Sequence, residues 1–187
     1  MDDRLPPLPL DAWTDEQRRY AQKIIDGPRG ALLTPFVPLL RSPELMSHVA
    51  RLGEYLRYRS AIGRRLSEFA ILLTARQWTQ QVEWAIHAPI ALREGVSPET
   101  VDAIAGGRRP LCMNDDEAIV WDFCDQLHRS RSVSDAAWSR AVERFGEQAV
   151  MDLVGVVGYY TLLSMVMNAA RTAVPASTAA PMPPLPG

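Results

Sequence analysis

Gln80, Glu83, Trp84 and His87 stand at positions i, i+3, i+4 and i+7, the spacing that brings side chains onto one face of an α-helix. The stripe sets a carboxyl, an imidazole and an amide around an indole. Ala85, Ile86, Ile90 and Leu92 supply a neighbouring apolar side, a make-up that suits the edge of a pocket. Upstream, Glu68 is bracketed by Leu66, Phe69, Ile71, Leu72 and Leu73, and a carboxylate in such company is rarely buried without a partner. His87 and Arg76 are the candidate partners. A hydrogen-bonded Glu–His pair beside an apolar wall has perturbed pKa values and can move protons near neutral pH. The same residues also suit a structural ion pair.

Other reactive side chains are scattered. Cys112 and Cys124 have eleven residues between them, which is neither a redox C-x-x-C nor half of a zinc site, so free thiols are expected. His48 and His128 stand apart from other ligand types, and no metal site is expected. Twenty basic residues are interleaved with 22 acidic ones for a net charge of −2, a balance that argues against nucleic acid as a partner. The pairs Arg64 with Arg65 and Arg108 with Arg109 are the local exceptions. The start, Met1-Asp2-Asp3 followed by prolines, lacks the basic and apolar runs of a secretory signal, so the expected location is the cytoplasm. The longest apolar stretch, residues 153–167, carries Thr161 and Ser164 and is shorter than the ~20 residues that span a bilayer. It reads as a buried helix, with no membrane partner.

The elements that must carry these residues are all helical. Helix starts and stops recur at short intervals, and no alternating strand pattern occurs. Thr14 with Gln17 forms a capping box for a helix reaching about Asp26. Ser42-Pro43-Glu44 opens a second, to about Arg59. A third covers about 64–78, and Thr79 is placed to cap a fourth that carries the stripe. Ser97-Pro98-Glu99 starts a short fifth, Asn114 with Glu117 a sixth, and Ser134 a seventh ending at Gly146. The last helix, about 147–173, should be the most buried. It holds Gly155 and Gly158 on one face, and a close helix contact would compensate for their cost there. The prolines at either end give a single helical domain over 14–174, an N-terminal arm over 1–13 and a Pro-rich tail over 175–187.

Glu68-Phe-Ala-Ile-Leu, with Val82-Glu83-Trp84-Ala85-Ile86-His87 and the segment from Ala91 to Gly95, resembles the central motif of the carboxymuconolactone decarboxylase family, within the alkyl hydroperoxidase D (AhpD) superfamily. Gly27-Pro28-Arg29-Gly30, Ser42-Pro43-Glu44-Leu45, Phe145-Gly146-Glu147 and Gly158-Tyr159-Tyr160 through Asn168 are similar to landmarks of its longer members. The resemblance therefore covers most of the chain. It implies an AhpD-like bundle of about eight helices that self-associates as trimers or hexamers.

The peroxidase branch of that superfamily has a glutamate, eleven residues, then C-x-x-C-x-x-x-H. This chain keeps the frame with Glu68, Gln80, Glu83 and His87, but has Gln80 and Glu83 at the cysteine positions. Neither side chain can form a sulfenic acid or a disulfide, so peroxidase-type antioxidant activity is disfavoured. The decarboxylase branch uses no thiol and no cofactor. Decarboxylating a carboxy-substituted unsaturated lactone moves charge toward the ring carbonyl, which calls for a donor there and an acid to reprotonate carbon. His87 is the candidate acid, Glu83 its orienter or co-relay, and Glu68 a support behind them. Arg29 is the candidate cation for a substrate carboxylate. Gln80, Trp78 and Trp84 would complete the substrate-binding wall. The expected function is a lyase or isomerase, a decarboxylase-like enzyme of aromatic-compound catabolism acting on a small carboxylate or lactone. A non-catalytic oligomeric binding protein is the remaining alternative.

Overall fold

Short polar side chains ahead of acid-bearing first turns start most helices of this chain. The computed structural model describes residues 2–174 and 182–183. Eight α-helices follow one another: α1 (Asp15–Ile25), α2 (Pro43–Tyr58), α3 (Arg64–Gln77), α4 (Gln81–Arg93), α5 (Pro98–Ala105), α6 (Asp115–Ser130), α7 (Asp135–Phe145) and α8 (Glu147–Ala170). Three 3-10 turns, Leu10–Ala12, Thr34–Phe36 and Pro38–Arg41, complete the order, with no strand among the described residues. The all-helical expectation holds.

Thr14 and Asn114 form reciprocal capping boxes with Gln17 and Glu117, while Ser97 and Ser134 each accept a first-turn N–H. Two expected caps differ. Ser42 precedes α2 without a side-chain bond; its own N–H closes the preceding turn onto the Leu39 carbonyl. Thr79 does not cap α4. It takes a left-handed backbone, φ 48°, in the tight turn from α3, which passes the cap to Gln80, whose amide oxygen accepts the Val82 N–H at 2.6 Å. The last helix stops at Ala170 rather than 173, because Arg171 turns left-handed.

α3, not α8, is the most enclosed helix. Residues 66–76 are buried without a break, since α3 packs against α4, α6 and α8 at once. A helix surrounded in this way needs an apolar surface all round, and this is where Glu68 sits. α8 lies against α2, α3 and α7 but leaves Met151, Gly158 and Met165 at the surface. Its 24 residues are long and apolar enough to cross a membrane by length and composition, although 56% of that stretch is buried within the fold. The close glycine contact exists at one of the two expected positions. A Cβ on Gly155 would lie 3.0 Å from Leu56 Cδ2 of α2, whereas one on Gly158 would meet nothing.

The N-terminal arm folds back on its own chain: the Arg4 N–H donates to the Ala170 carbonyl at 2.8 Å, and Arg41 holds the Leu5 and Pro6 carbonyls. Most of the Pro-rich tail lies outside the described residues. Of the two that are described, Met182 is buried and exchanges two hydrogen bonds with the Gln81 side chain, at 2.8 and 2.9 Å.

Candidate active site

The turn at Thr79 is tight enough that α3 and α4 pack side by side, and this brings Glu68 against His87. His87 Nδ1 lies 2.6 Å from Glu68 Oε2, and its Nε2 lies 3.4 Å from Glu83 Oε2 one turn back on α4. Glu68 is therefore the nearer carboxyl and fixes the ring, the role expected of Glu83. Arg76, the other candidate partner, turns away to the carbonyls of Ala105 and Pro183.

The stripe expected at a pocket edge is enclosed. Gln80, Glu83, Trp84 and His87 are 4%, 1%, 5% and 3% exposed, and Glu68 1%. The cover comes from α8. The Tyr160 ring meets the His87 imidazole edge-on at 5.0 Å, and Tyr159 meets Tyr160 in the same manner at 5.1 Å. Nearer the C-terminus of α8, the Asn168 oxygen accepts from Gln80 at 2.8 Å while its NH₂ donates to the Trp78 carbonyl at 3.0 Å.

Electrostatics favour the protonated form of His87. Burial alone would push the His87 pKa down, but hydrogen bonds and charge from Glu68 and Glu83 outweigh it and raise the value to about 9. The carboxyl groups thus favour the doubly protonated ring, its Nδ1 N–H donating to Glu68 and its Nε2 N–H facing Glu83. Tyr160 is pushed well above the ordinary phenol range, first by burial and then by the Glu83 charge, and so stays neutral. One atom is left over: Glu83 Oε1 is buried and has no hydrogen-bond partner. Native folds rarely leave such an acceptor unanswered.

Arg29 is half-buried in the loop after α1. It donates to the Ala50 carbonyl at 3.0 Å and stacks 5.1 Å from the Phe36 ring. Its charge bears on Tyr159, whose hydroxyl is raised to about 12 by burial against the pull of Arg29. Gly53 makes room for both: a Cβ there would fall 2.1 Å from the Tyr159 hydroxyl and 2.8 Å from Arg29 Nη2. The arginine thus joins the histidine indirectly, through the two tyrosines. Trp84 belongs to the core. Trp78 is half-buried, donates from Nε1 to Thr161 Oγ1 at 3.3 Å, and lines an open groove with His128, Val157 and Gly158.

Sequence reasoning missed Gly53, Tyr159, Tyr160 and Asn168 as parts of the site. Their only signals were a glycine inside a helix and a tyrosine pair within a landmark segment. No thiol joins the array: Cys112 is exposed, Cys124 is buried, and burial followed by the charge of Asp125 pushes the Cys124 thiol far up.

No protein-family model matches the chain, and no curated protein matches it in sequence. Solved structures do match in three dimensions. The AhpD core of an uncharacterized peroxidase-related protein from Ralstonia eutropha JMP134 superposes with a TM-score of 0.76 at 16% identity, covering 92% of both chains. The chain has the AhpD-core fold. An uncharacterized peroxidase-related protein from Silicibacter sp. TM1040 gives a TM-score of 0.73 at 15% identity over 94% of both chains. A variant of the debrominase Bmp8, in complex with 2,3,4-tribromopyrrole, gives 0.68 at 14% identity, again over 94% of both.

Proposed function

We propose that this chain is a cofactor-independent lyase or isomerase, resembling carboxymuconolactone decarboxylase, that transfers protons to a small carboxylated or lactone-like substrate. The observation that carries this reading is an imidazole held between two buried carboxyl groups, one of which offers an unpartnered oxygen. Glu68 holds the Nδ1 side of the ring, and the Nε2 N–H faces Glu83. When carbon dioxide leaves the substrate, the electron pair of the broken carbon–carbon bond delocalises toward the ring carbonyl. His87 then supplies a proton to the carbon, directly or through Glu83, and takes its replacement from water once the product has left. Glu83 Oε1, which no group of the protein engages, is left free to pass the proton on. Arg29 draws the carboxylate from the Tyr159 side, and Gln80, Trp84 and Trp78 shape the wall.

One fact supports this choice over thiol chemistry: the positions that hold cysteines in the peroxidase-type motif carry Gln80 and Glu83. That a small ring can enter this fold is supported by the Bmp8 variant solved with 2,3,4-tribromopyrrole. Self-association as trimers or hexamers, with the cytoplasm as the working compartment, belongs to the same reading and would cover the exposed Met151 and Met165 of α8.

The test is a mass-spectrometric screen of wild type and His87→Gln against carboxylated lactones and related unsaturated acids, with peroxide reduction measured in parallel. Carbon dioxide release or isomerisation should occur in wild type and fall by at least about a hundredfold in the variant, the usual scale of general acid catalysis. Peroxide reduction that depends on Cys112 or Cys124 would overturn the reading. Ligand binding without turnover would make the chain a binding protein.

A further inference from the structure

The corner where α2 gives way to α3 holds three polar atoms that the fold leaves unanswered. Arg57 Nε, Ser60 Oγ and Ser67 Oγ are each buried without a hydrogen-bond partner. All three residues line one small cavity of about 130 Å³, together with Gly63 and Arg64. Ser67 is 5% exposed. A serine inside a helix commonly returns its hydroxyl to the carbonyl one turn back, as Thr74 of this same helix does to Ala70 at 3.0 Å; Ser67 does not.

The same cavity faces the start of α3. Gly63 occupies the cap position at φ 80° and has no side chain to offer, so the first-turn N–H groups of a 14-residue helix receive no cap from the protein. Those N–H groups and the helix dipole favour a negative charge there. The acidic groups nearby are already engaged. Glu94 pairs with Arg64 Nε at 2.9 Å, and Asp152 accepts from the Ala61 N–H at 2.7 Å and from the Tyr55 hydroxyl at 3.0 Å. Arg57 has no carboxylate partner among the described residues.

We infer that this corner binds a small oxyanion, a phosphate or carboxylate group, held by Arg57, the Ser60 and Ser67 hydroxyls and the first-turn N–H groups of α3. A guanidinium, two hydroxyls and a helix start supply donors without a competing acceptor, which is what a multiply charged oxygen cluster requires. Glu68, Glu83 and His87 do not line the cavity, so the inference stands whether or not the proton-transfer reading does.

The experiment is titration calorimetry on the full chain with inorganic phosphate, with acetate, and with chloride at matched ionic strength. Saturable binding of phosphate or acetate beyond chloride is expected, weakened at least about tenfold by Arg57→Gln and by Ser67→Ala, since each removes a donor to a charged group. Circular dichroism would confirm that both variants fold, and Ser67→Ala removes only an unsatisfied hydroxyl. Tighter phosphate binding identifies a tetrahedral oxyanion as the occupant, and tighter acetate binding an organic acid. Binding no stronger than chloride, or binding that both folded variants retain in full, would overturn the inference.

Discussion

Two carboxyl groups favour the charged form of His87 where almost no water reaches it. Its pKa is raised from 6.5 to about 9 in the folded chain, so its contribution is fully present below pH 6.5 and is lost as pH rises through about 9. The shift corresponds to stability on the order of 3 kcal/mol. Urea unfolding at pH 6 and at pH 9.5 should show the loss, and Glu68→Gln, which weakens the bond at Nδ1, should flatten it. A wild-type profile that is flat over this range would mean the ring is neutral at pH 7. Turnover by His87 as an acid should fall over the same interval. Much of this pair was legible in the sequence: a glutamate among aliphatic residues needs a partner, and helical spacing aligned Glu83 with His87. The enclosure was not. Periodicity along α4 reports which residues share a face, and says nothing of the two tyrosines that a distant segment lays across it.

Helices differ in what their glycines are for, and α8 shows both cases within one turn. Gly155 faces Leu56 at 3.0 Å from its would-be Cβ, so Gly155→Ala must push that side chain aside and should cost about 1–3 kcal/mol. Gly158 is exposed, with nothing within 4 Å of its would-be Cβ, so Gly158→Ala should instead stabilise the helix by up to about 1 kcal/mol. Thermal melts of the two variants should move in opposite directions. At the start of α6, Asn114→Ala opens the capping box with Glu117 and should cost about 1 kcal/mol. Such starts were readable because a cap is local chemistry, settled within four residues. The start of α4 was misplaced by one residue for the opposite reason: the packing of α3 on α4 forces the left-handed turn at Thr79, and the cap falls to glutamine, an uncommon choice.

One apolar cluster runs from Ala21 in α1 through the centre of α3 to Met167 in α8 and takes in Met182. A core shared by every layer should fail all at once. Urea transitions followed by tryptophan fluorescence and by far-ultraviolet dichroism should coincide, and separated midpoints would show that part of the chain unfolds on its own. Length, composition and punctuation were enough to anticipate a helical bundle. They were silent on which helix lies at its centre, because that depends on contacts between segments far apart in sequence. The two cysteines have a practical consequence at this scale. With Cys124 sealed in α6 and held protonated, and Cys112 open to solvent just ahead of that helix, a maleimide dye should attach once per chain without any engineered residue. Energy transfer between dyes on neighbouring copies would then count the subunits of an assembly directly.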